Sequence, residues 1–319
     1  MNIAAALDNA YHPYTYTMLY SLFRSDSEER FHVYLLSGDL SADTKALFEE
    51  LVQNHHSKVT FLDLDPEPFM PLANRGWALP TAFRLKLGEL LKGVCSRLLY
   101  LDGDIIVHGS VRPFYDMDLK GHMLGACHDM TVNPETTAIH EAKRSERINK
   151  LLREYRYFNA GVLLIDIPRM SDWTLEKYLK LLNDLEEKIV APDQDLLNVA
   201  HEGDWIEADE IRYDLFAGVA KDYGVSLEEV RNQNIILHYA GDKPWQGGHV
   251  HYDIERLWWE YALETPFAKQ FLNNYIISSL EDGNVYRTVK EITEQNKTLS
   301  LELESALNKA KAIAAKLGG

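Results

Sequence analysis

The chain has 319 residues, of which 46% are hydrophobic and 26% charged. That is the mixture of a globular protein with one large core, not of a disordered or fibrous chain. A formal net charge of −16 argues against a nucleic-acid partner, because phosphate backbones are met by basic faces. Cys95 and Cys127 are the only cysteines, so no disulfide framework is expected and a reducing compartment suits the chain.

The opening MNIAAALDNAYHPY lacks a basic region and a full-length apolar core, and Asn2–Leu7 reads as a first strand rather than a signal peptide. Met18, Leu19, Leu22 and Phe23 then fall at helical spacing. Phe31–Leu36 reads as a second strand. A helix follows from Ser41, whose hydroxyl can cap it, with Leu47, Phe48 and Leu51 inward. Val59–Leu64 makes a third strand, and Thr81–Lys92 a helix leading into LLYLDGDIIV, Leu98 to Val107.

Met123–Ala126 and Gly161–Ile167 read as further strands, and Trp173–Leu185 as an amphipathic helix capped by Ser171 or Asp172. Ile235–Tyr239 is a late strand ending in a glycine-rich loop. Trp258, Trp259, Tyr261, Phe267 and Phe271 suggest helices at the domain edge. Strands that alternate with helices, and are too buried to alternate in polarity, predict a mainly parallel α/β sheet covered on both faces. No apolar run is long enough to span a bilayer, so a cytoplasmic protein is expected, with attachment to the inner face of a membrane left open. From about residue 289, Val289, Ile292, Asn296, Leu299, Leu303, Ala306, Ala310, Ile313 and Leu317 form an a/d seam. Both a homo-oligomer through this helix and docking on its own domain fit that pattern.

Chemistry concentrates in five stretches. Asp102 and Asp104 stand at i and i+2, which in an extended segment aims both acids at one spot, with Gly103 adding no bulk between them. Two converging carboxylates are costly unless a cation joins them, and a divalent ion that in turn holds a phosphate is the natural candidate; the alternative is two solvated turn aspartates. In ILHYAGDKPW, His238 ends a strand, Gly241 gives a turn and Lys243 follows, so an imidazole ligand and a phosphate-neutralising ammonium lie close together. Mixed nitrogen and oxygen ligation tilts the choice toward Mn²⁺, with Mg²⁺ still possible.

In YFNAGVLLIDI, Asn159 precedes Ala160 and Gly161, where backbone can approach a ligand closely. In APDQDLLN, Asp193 and Gln194 can bond sugar hydroxyls, or Asp193 can cap a helix. The first strand ends at Ala6, Leu7 and Asp8, with Tyr11 beyond; Tyr11 can stack on a base and Asp8 accept its N–H, or both are ordinary strand-end residues. No glycine-rich phosphate fingerprint occurs.

Taken in chain order, AALDNAY, FRLKLGELL, LLYLDGD, YFNAGVLLIDI, DQDLLN and HYAGDKPW resemble glycosyltransferase family 8. These are retaining sugar transferases that include bacterial lipooligosaccharide galactosyltransferases and glycogenin, and the resemblance covers roughly residues 1–265. It implies a GT-A fold, a Rossmann-like sheet merged with an acceptor-binding portion; residues 266–319, beyond it, read from their own pattern as a helical extension. It also implies a UDP-hexose donor (glucose or galactose), Mn²⁺, and a saccharide or lipooligosaccharide-type acceptor.

By position, the resemblance gives Asp102, Asp104 and His238 to the metal, Ala6, Asp8 and Tyr11 to the uridine, and Lys243 to the diphosphate. Arg84, Asn159, Asp193 and Gln194 would line the donor sugar, with Gly103 and Gly241 also counted as donor-binding and Asp129 near the acceptor edge. The Gly241-Asp242-Lys243 loop is one residue shorter than is usual in the family, which makes the reach of Lys243 a point for the structure.

The expected mechanism follows from charge: the departing diphosphate needs cationic partners, and the sugar develops oxocarbenium character. An amide oxygen is a poor nucleophile, so Gln194 favours front-face transfer over a covalent intermediate. Two rivals stand beside this reading. One is a metal-dependent phosphatase using a strand-end Asp-x-Asp; the other is a non-catalytic protein that binds sugar nucleotides without turnover.

Overall fold

Strand β1 (Asn2–Ala6) carries NIAAA, and its Ile3, Ala4 and Ala5 are fully buried. A strand apolar on both faces belongs in the middle of a sheet covered on both sides. The computed structural model describes residues 1–73, 78–132, 146, 148–153, 156–185, 189–233, 235–246, 253–281 and 297. In it β1 lies between β2 (His32–Ser37) and β4 (Arg97–Leu101), parallel to both. Outside β2 comes β3 (Lys58–Asp63), again parallel. On the far side, β7 (Phe158–Asp166) pairs antiparallel with β4 and with β6 (Leu124–His128), and β8 (Trp205–Glu207) joins β6 in parallel. The order is β3-β2-β1-β4-β7-β6-β8. The mainly parallel, helix-flanked sheet expected from the alternation is what forms.

A second sheet holds β5 (Ile105–His108), β10 (Ile235–His238) and β9 (Leu215–Phe216), in the order β5-β10-β9. Helix α1 (His12–Ser25) turns Met18, Leu19, Leu22 and Phe23 inward. The cap of α2 (Ala42–Asn54) is Ser41, whose hydroxyl accepts the Thr44 amide.

Four expectations are corrected. Asp102 and Asp104 do not share one extended strand: β4 stops at Leu101, the chain turns, and β5 starts at Ile105. Gly103 permits the turn, since a Cβ there would lie 2.5 Å from Thr15 Oγ1. The segment expected as one helix over Thr81–Lys92 is three short helical pieces, Leu79–Ala82, Phe83–Lys86 and Leu87–Leu90. Its middle piece winds tighter where Arg84 Nε donates to the Thr81 carbonyl at 2.8 Å. Strand β7 starts at Phe158 rather than Gly161. The amphipathic helix runs Leu175–Leu185; Thr174 Oγ1 accepts the Lys177 amide, while the Ser171 hydroxyl donates to the Pro168 carbonyl.

Residues 1–243 with 252–267 make one compact unit, and 244–251 with 268–319 another. The first contains the buried Trp258 in the Arg256–Ala262 helix; the second contains the Ala268–Glu281 helix. The a/d seam from residue 289 lies outside the described residues, apart from Lys297. Among the described residues no helix is long and apolar enough to cross a membrane.

The topology places the site. β1 neighbours β2 on one side and β4 on the other, so the strand order reverses between β1 and β4. Ligands of open α/β sheets bind at the carboxyl ends of strands at such a switch point. Asp8 follows β1 there, and Asp102 follows β4.

Candidate active site

A cavity of about 660 Å³ opens at this switch point, and every residue singled out from the sequence lines it: Ala6, Asp8 and Tyr11 at the end of β1, Arg84, the Asp102-Gly103-Asp104 turn, Asp129, Asn159, Asp193, Gln194, His238, Gly241 and Lys243. How each reaches the cavity follows from its element. Asp102 is held where β4 meets β7, its amide donating to the Gly161 carbonyl at 2.8 Å. Asp104 precedes β5, and its carbonyl accepts the Tyr239 amide at 3.0 Å just past the end of β10. Since His238 pairs with Ile105 across the small sheet, its imidazole arrives beside Asp104.

One ligand atom from each of Asp102, Asp104 and His238 lies within 4.8 Å of the others. His238 Nε2 is 3.4 Å from Asp104 Oδ1. Two hard carboxylates and one imidazole form a donor set that suits a divalent ion of mixed oxygen and nitrogen preference. The wall behind them is built for close approach: a Cβ on Gly161 would lie 2.4 Å from His238 Cε1 and 2.9 Å from Asp102 Oδ2. The residues present fit a metal.

Charge in the cluster is tightly matched. Burial works against ionising Asp104, but the Lys243 ammonium and the His238 imidazole hold its carboxyl well below the usual carboxylate range. Burial likewise opposes the charge on His238, yet the Asp214 and Asp104 carboxylates raise its pKa to about 10. Lys243 donates to Asp104 Oδ2 and, at 2.6 Å, to the Tyr239 carbonyl. The short loop therefore reaches the cluster, helped by Gly241 at φ +92°, a left-handed turn that a side chain would strain.

Opposite lies a second charged group. Arg84 is 3% exposed and donates to both oxygens of Asp102, at 2.8 and 3.3 Å. Its Nε also stands 3.1 Å from Asp193 Oδ2. Burial raises the Asp193 pKa, and Arg84 opposes the rise. Tyr100 adds a hydroxyl donated to Asp102 Oδ1 at 2.9 Å, and its ring lies 4.6 Å from the guanidinium.

The Pro192–Ala200 helix brings in Asp193 and Gln194. Asp193 sits in the first turn beyond Ala191 and Pro192, so it is not the capping residue. Gln194 Oε1 accepts from the Ala160 amide (2.9 Å) and Asn159 Nδ2 (3.1 Å), while its Nε2 donates to Asp129 Oδ2 (2.9 Å). Both faces of that amide are engaged. At β1, Asp8 Oδ1 accepts from the Ala10 and Tyr11 amides at 3.0 and 2.7 Å, so this carboxylate shapes its own turn while lining the cavity.

Sequence reasoning missed several residues that build the site from behind. Asp195 is fully buried and accepts from Tyr157 Oη, Val190 N and Ala191 N, fixing the start of the helix. Asn198 brackets Phe158, accepting its amide and donating to its carbonyl, both at 2.8 Å. Asp214, in RYDLF, contacts His238 and carried no signal beyond being one acidic residue among many.

A sequence profile described as glycosyl transferase family 8 matches residues 2–248. Glycosyltransferase GlyF of Streptococcus pneumoniae is 28% identical over 291 residues; the match takes in 86% of this chain but only 65% of GlyF, so the chain spans less than two thirds of that relative. Lipopolysaccharide 1,3-galactosyltransferase of Salmonella typhimurium is 24% identical, with 87% of this chain and 82% of that protein aligned. Among solved structures, the galactosyltransferase LgtC, in complex with donor and acceptor sugar analogs, superposes with a TM-score of 0.68 at 26% identity, covering 83% of this chain and 96% of LgtC. A profile match that begins in β1 and runs past Lys243 takes in every cavity residue named above, and on that ground the chain belongs to glycosyl transferase family 8.

Proposed function

We propose that this chain moves a hexosyl group, glucose or galactose, from a UDP-sugar to a saccharide or lipooligosaccharide-type acceptor with retention, at a Mn²⁺-dependent site. The observation that carries the reading is the convergence of Asp102, Asp104 and His238 at the sheet's switch point, inside a cavity large enough for a nucleotide sugar. The names of two relatives support the substrate class: one is a lipopolysaccharide galactosyltransferase, the other was solved with donor and acceptor sugar analogs.

Asp102, Asp104 and His238 would hold the ion, which when bound supplies positive charge to the diphosphate as it leaves. Lys243 lies on Asp104 at the cavity wall, from where its ammonium would neutralise a phosphate oxygen. Arg84 and Asp193 form a rigid pair from which Asp193 can accept sugar hydroxyls and fix the ring. Gln194 has its amide oxygen occupied by two donors, which leaves it poorly placed to attack an anomeric carbon. Acceptor attack from the face of the departing phosphate fits this better than a covalent intermediate. Asp129, tied to Gln194, borders the space where that acceptor would enter.

A phosphatase using a strand-end Asp-x-Asp would place the pair after the first strand, whereas Asp102 follows β4. The test is a panel of UDP-hexoses with Mn²⁺, scored for donor hydrolysis and UDP binding. Asp104→Asn should lose turnover by at least about a hundredfold while its circular dichroism stays native, an electrostatic loss of the size seen at such centres. Turnover unchanged in that variant would remove the metal site from the reading, and UDP binding without hydrolysis of any donor would favour the non-catalytic alternative.

A further inference from the structure

We propose that Asp214 is a positioning residue for the metal centre: its carboxylate accepts the Nδ1–H of His238 and so turns the Nε2 lone pair toward the cation position shared with Asp102 and Asp104. The inference rests on the metal reading above and deepens it. Asp214 Oδ1 lies 2.8 Å from His238 Nδ1, and both side chains are buried, with Asp214 at 0% and His238 at 3% exposure. On the opposite edge of the ring, Nε2 faces Asp104 Oδ1 at 3.4 Å. The imidazole therefore runs from one carboxylate to the ligand cluster, one nitrogen to each.

Two neighbours pack against the ring and leave the choice of which nitrogen faces the cluster to its hydrogen-bond partner. Phe216 packs edge-on to it, with centroids 5.2 Å apart at 79°. Gly161 closes the Cε1 side so tightly that an added Cβ would stand 2.4 Å away. Asp214 itself is fixed by backbone: its amide donates to the Glu210 carbonyl at 3.0 Å, and β9 starts at the next residue.

The carboxylate makes little sense as a fold element. Among the described residues its side chain bonds only to His238, and Oδ2 is buried without a partner. A buried carboxylate with one bare oxygen costs folding free energy, and an apolar residue of the same shape would pack more cheaply. Its one interaction is the one that metal-ligating histidines typically make through their second nitrogen, which fixes the tautomer and raises the basicity of the ligand.

The test uses the full chain and compares wild type, His238→Ala, Asp214→Asn and Asp214→Ala. Mn²⁺ binding is read by the EPR signal of free Mn²⁺, and metal-free stability by thermal melting in EDTA. The expected result is Mn²⁺ affinity about tenfold weaker in Asp214→Asn and up to about a hundredfold weaker in Asp214→Ala. In EDTA the isosteric Asn variant should still melt cooperatively, so that its loss of Mn²⁺ affinity is not a loss of fold. Ring ¹⁵N shifts of His238 in the Mg²⁺-loaded protein should report the Nδ1–H tautomer in wild type and a changed tautomer balance in Asp214→Asn. If His238→Ala weakens Mn²⁺ while both Asp214 variants bind as wild type does, the inference falls and the metal site stands. Should Asp214→Ala not fold, the Asn variant and the tautomer measurement decide. If wild type binds no Mn²⁺ at all, the metal reading falls and this inference with it.

Discussion

Arg84 ties together two carboxylates on one wall of the cavity. A 3%-exposed guanidinium normally needs full pairing, and here it satisfies two separate carboxylates, Asp102 and Asp193, from one planar fork. Burial works against its charge, but Asp102 leads the interactions that raise its pKa above the usual arginine value. Arg84→Met keeps the length and strands both acids, so urea melts should show stability lower by about 3–5 kcal/mol. Arg84→Lys retains charge without the fork and should fall between. A loss below about 1 kcal/mol in Arg84→Met would mean that water, not the guanidinium, satisfies those carboxylates.

The link between β7 and the Pro192–Ala200 helix shows how elements aim the site. Asn198 brackets the Phe158 backbone, and four residues earlier Gln194 takes the Ala160 amide, so one helix face is stitched to alternate residues of the strand. Asn198→Ala would leave a buried amide and a buried carbonyl unpaired, with an expected cost of about 2–4 kcal/mol in chemical denaturation. A change under about 1 kcal/mol would show that the helix is held by its apolar face alone.

Much of this level was legible in the sequence. β1, β2 and β10 carry apolar runs and β3 an alternating VTFL core, and each was located to within a residue or so. Asp8, Asp102 and His238 were legible because their motifs fall at strand ends, where the topology gathers side chains, whereas Arg84, Asp193 and Gln194 sit on helical segments and were placed by the resemblance. The break between β4 and β5 was not, because an i, i+2 acid pair reads alike across an extended segment and across a turn. β8 and β9, at three and two residues, are too short to show a period. Asp195, Asn198 and Asp214 act through tertiary partners up to 40 residues away, which no local pattern encodes.

For the whole molecule, acid stability should be set in part by a histidine far from the chemistry. His201 is buried against the Tyr178 hydroxyl, 2.7 Å from Nε2, and burial pushes its pKa down to about 4. In the unfolded chain the same group titrates near ~6.5. The unfolded state therefore binds the extra proton first: the contribution is complete above about pH 6.5 and is lost as pH falls toward 4. Denaturation at pH 7 and pH 5 should show wild type losing on the order of 2 kcal/mol through this group, a drop that His201→Gln lacks. Parallel pH profiles for the two proteins would count against a neutral buried imidazole.

Asp102 follows the end of a strand in the large sheet, and Asp104 immediately precedes the first strand of the small one, with Gly103 alone between them. An ion gripped by both acids would act as a rivet between the two sheets, so loading the centre should stiffen regions that share no side chains. Manganese at a hundred times its dissociation constant would add about 2.7 kcal/mol to unfolding. Native-state hydrogen exchange should then slow in step at the Asp102 amide, bonded to Gly161, and the Tyr239 amide, bonded to Asp104. Protection gained at one amide and not the other would mean that the two sheets breathe independently. In that case a bound ion would leave the seam between them loose.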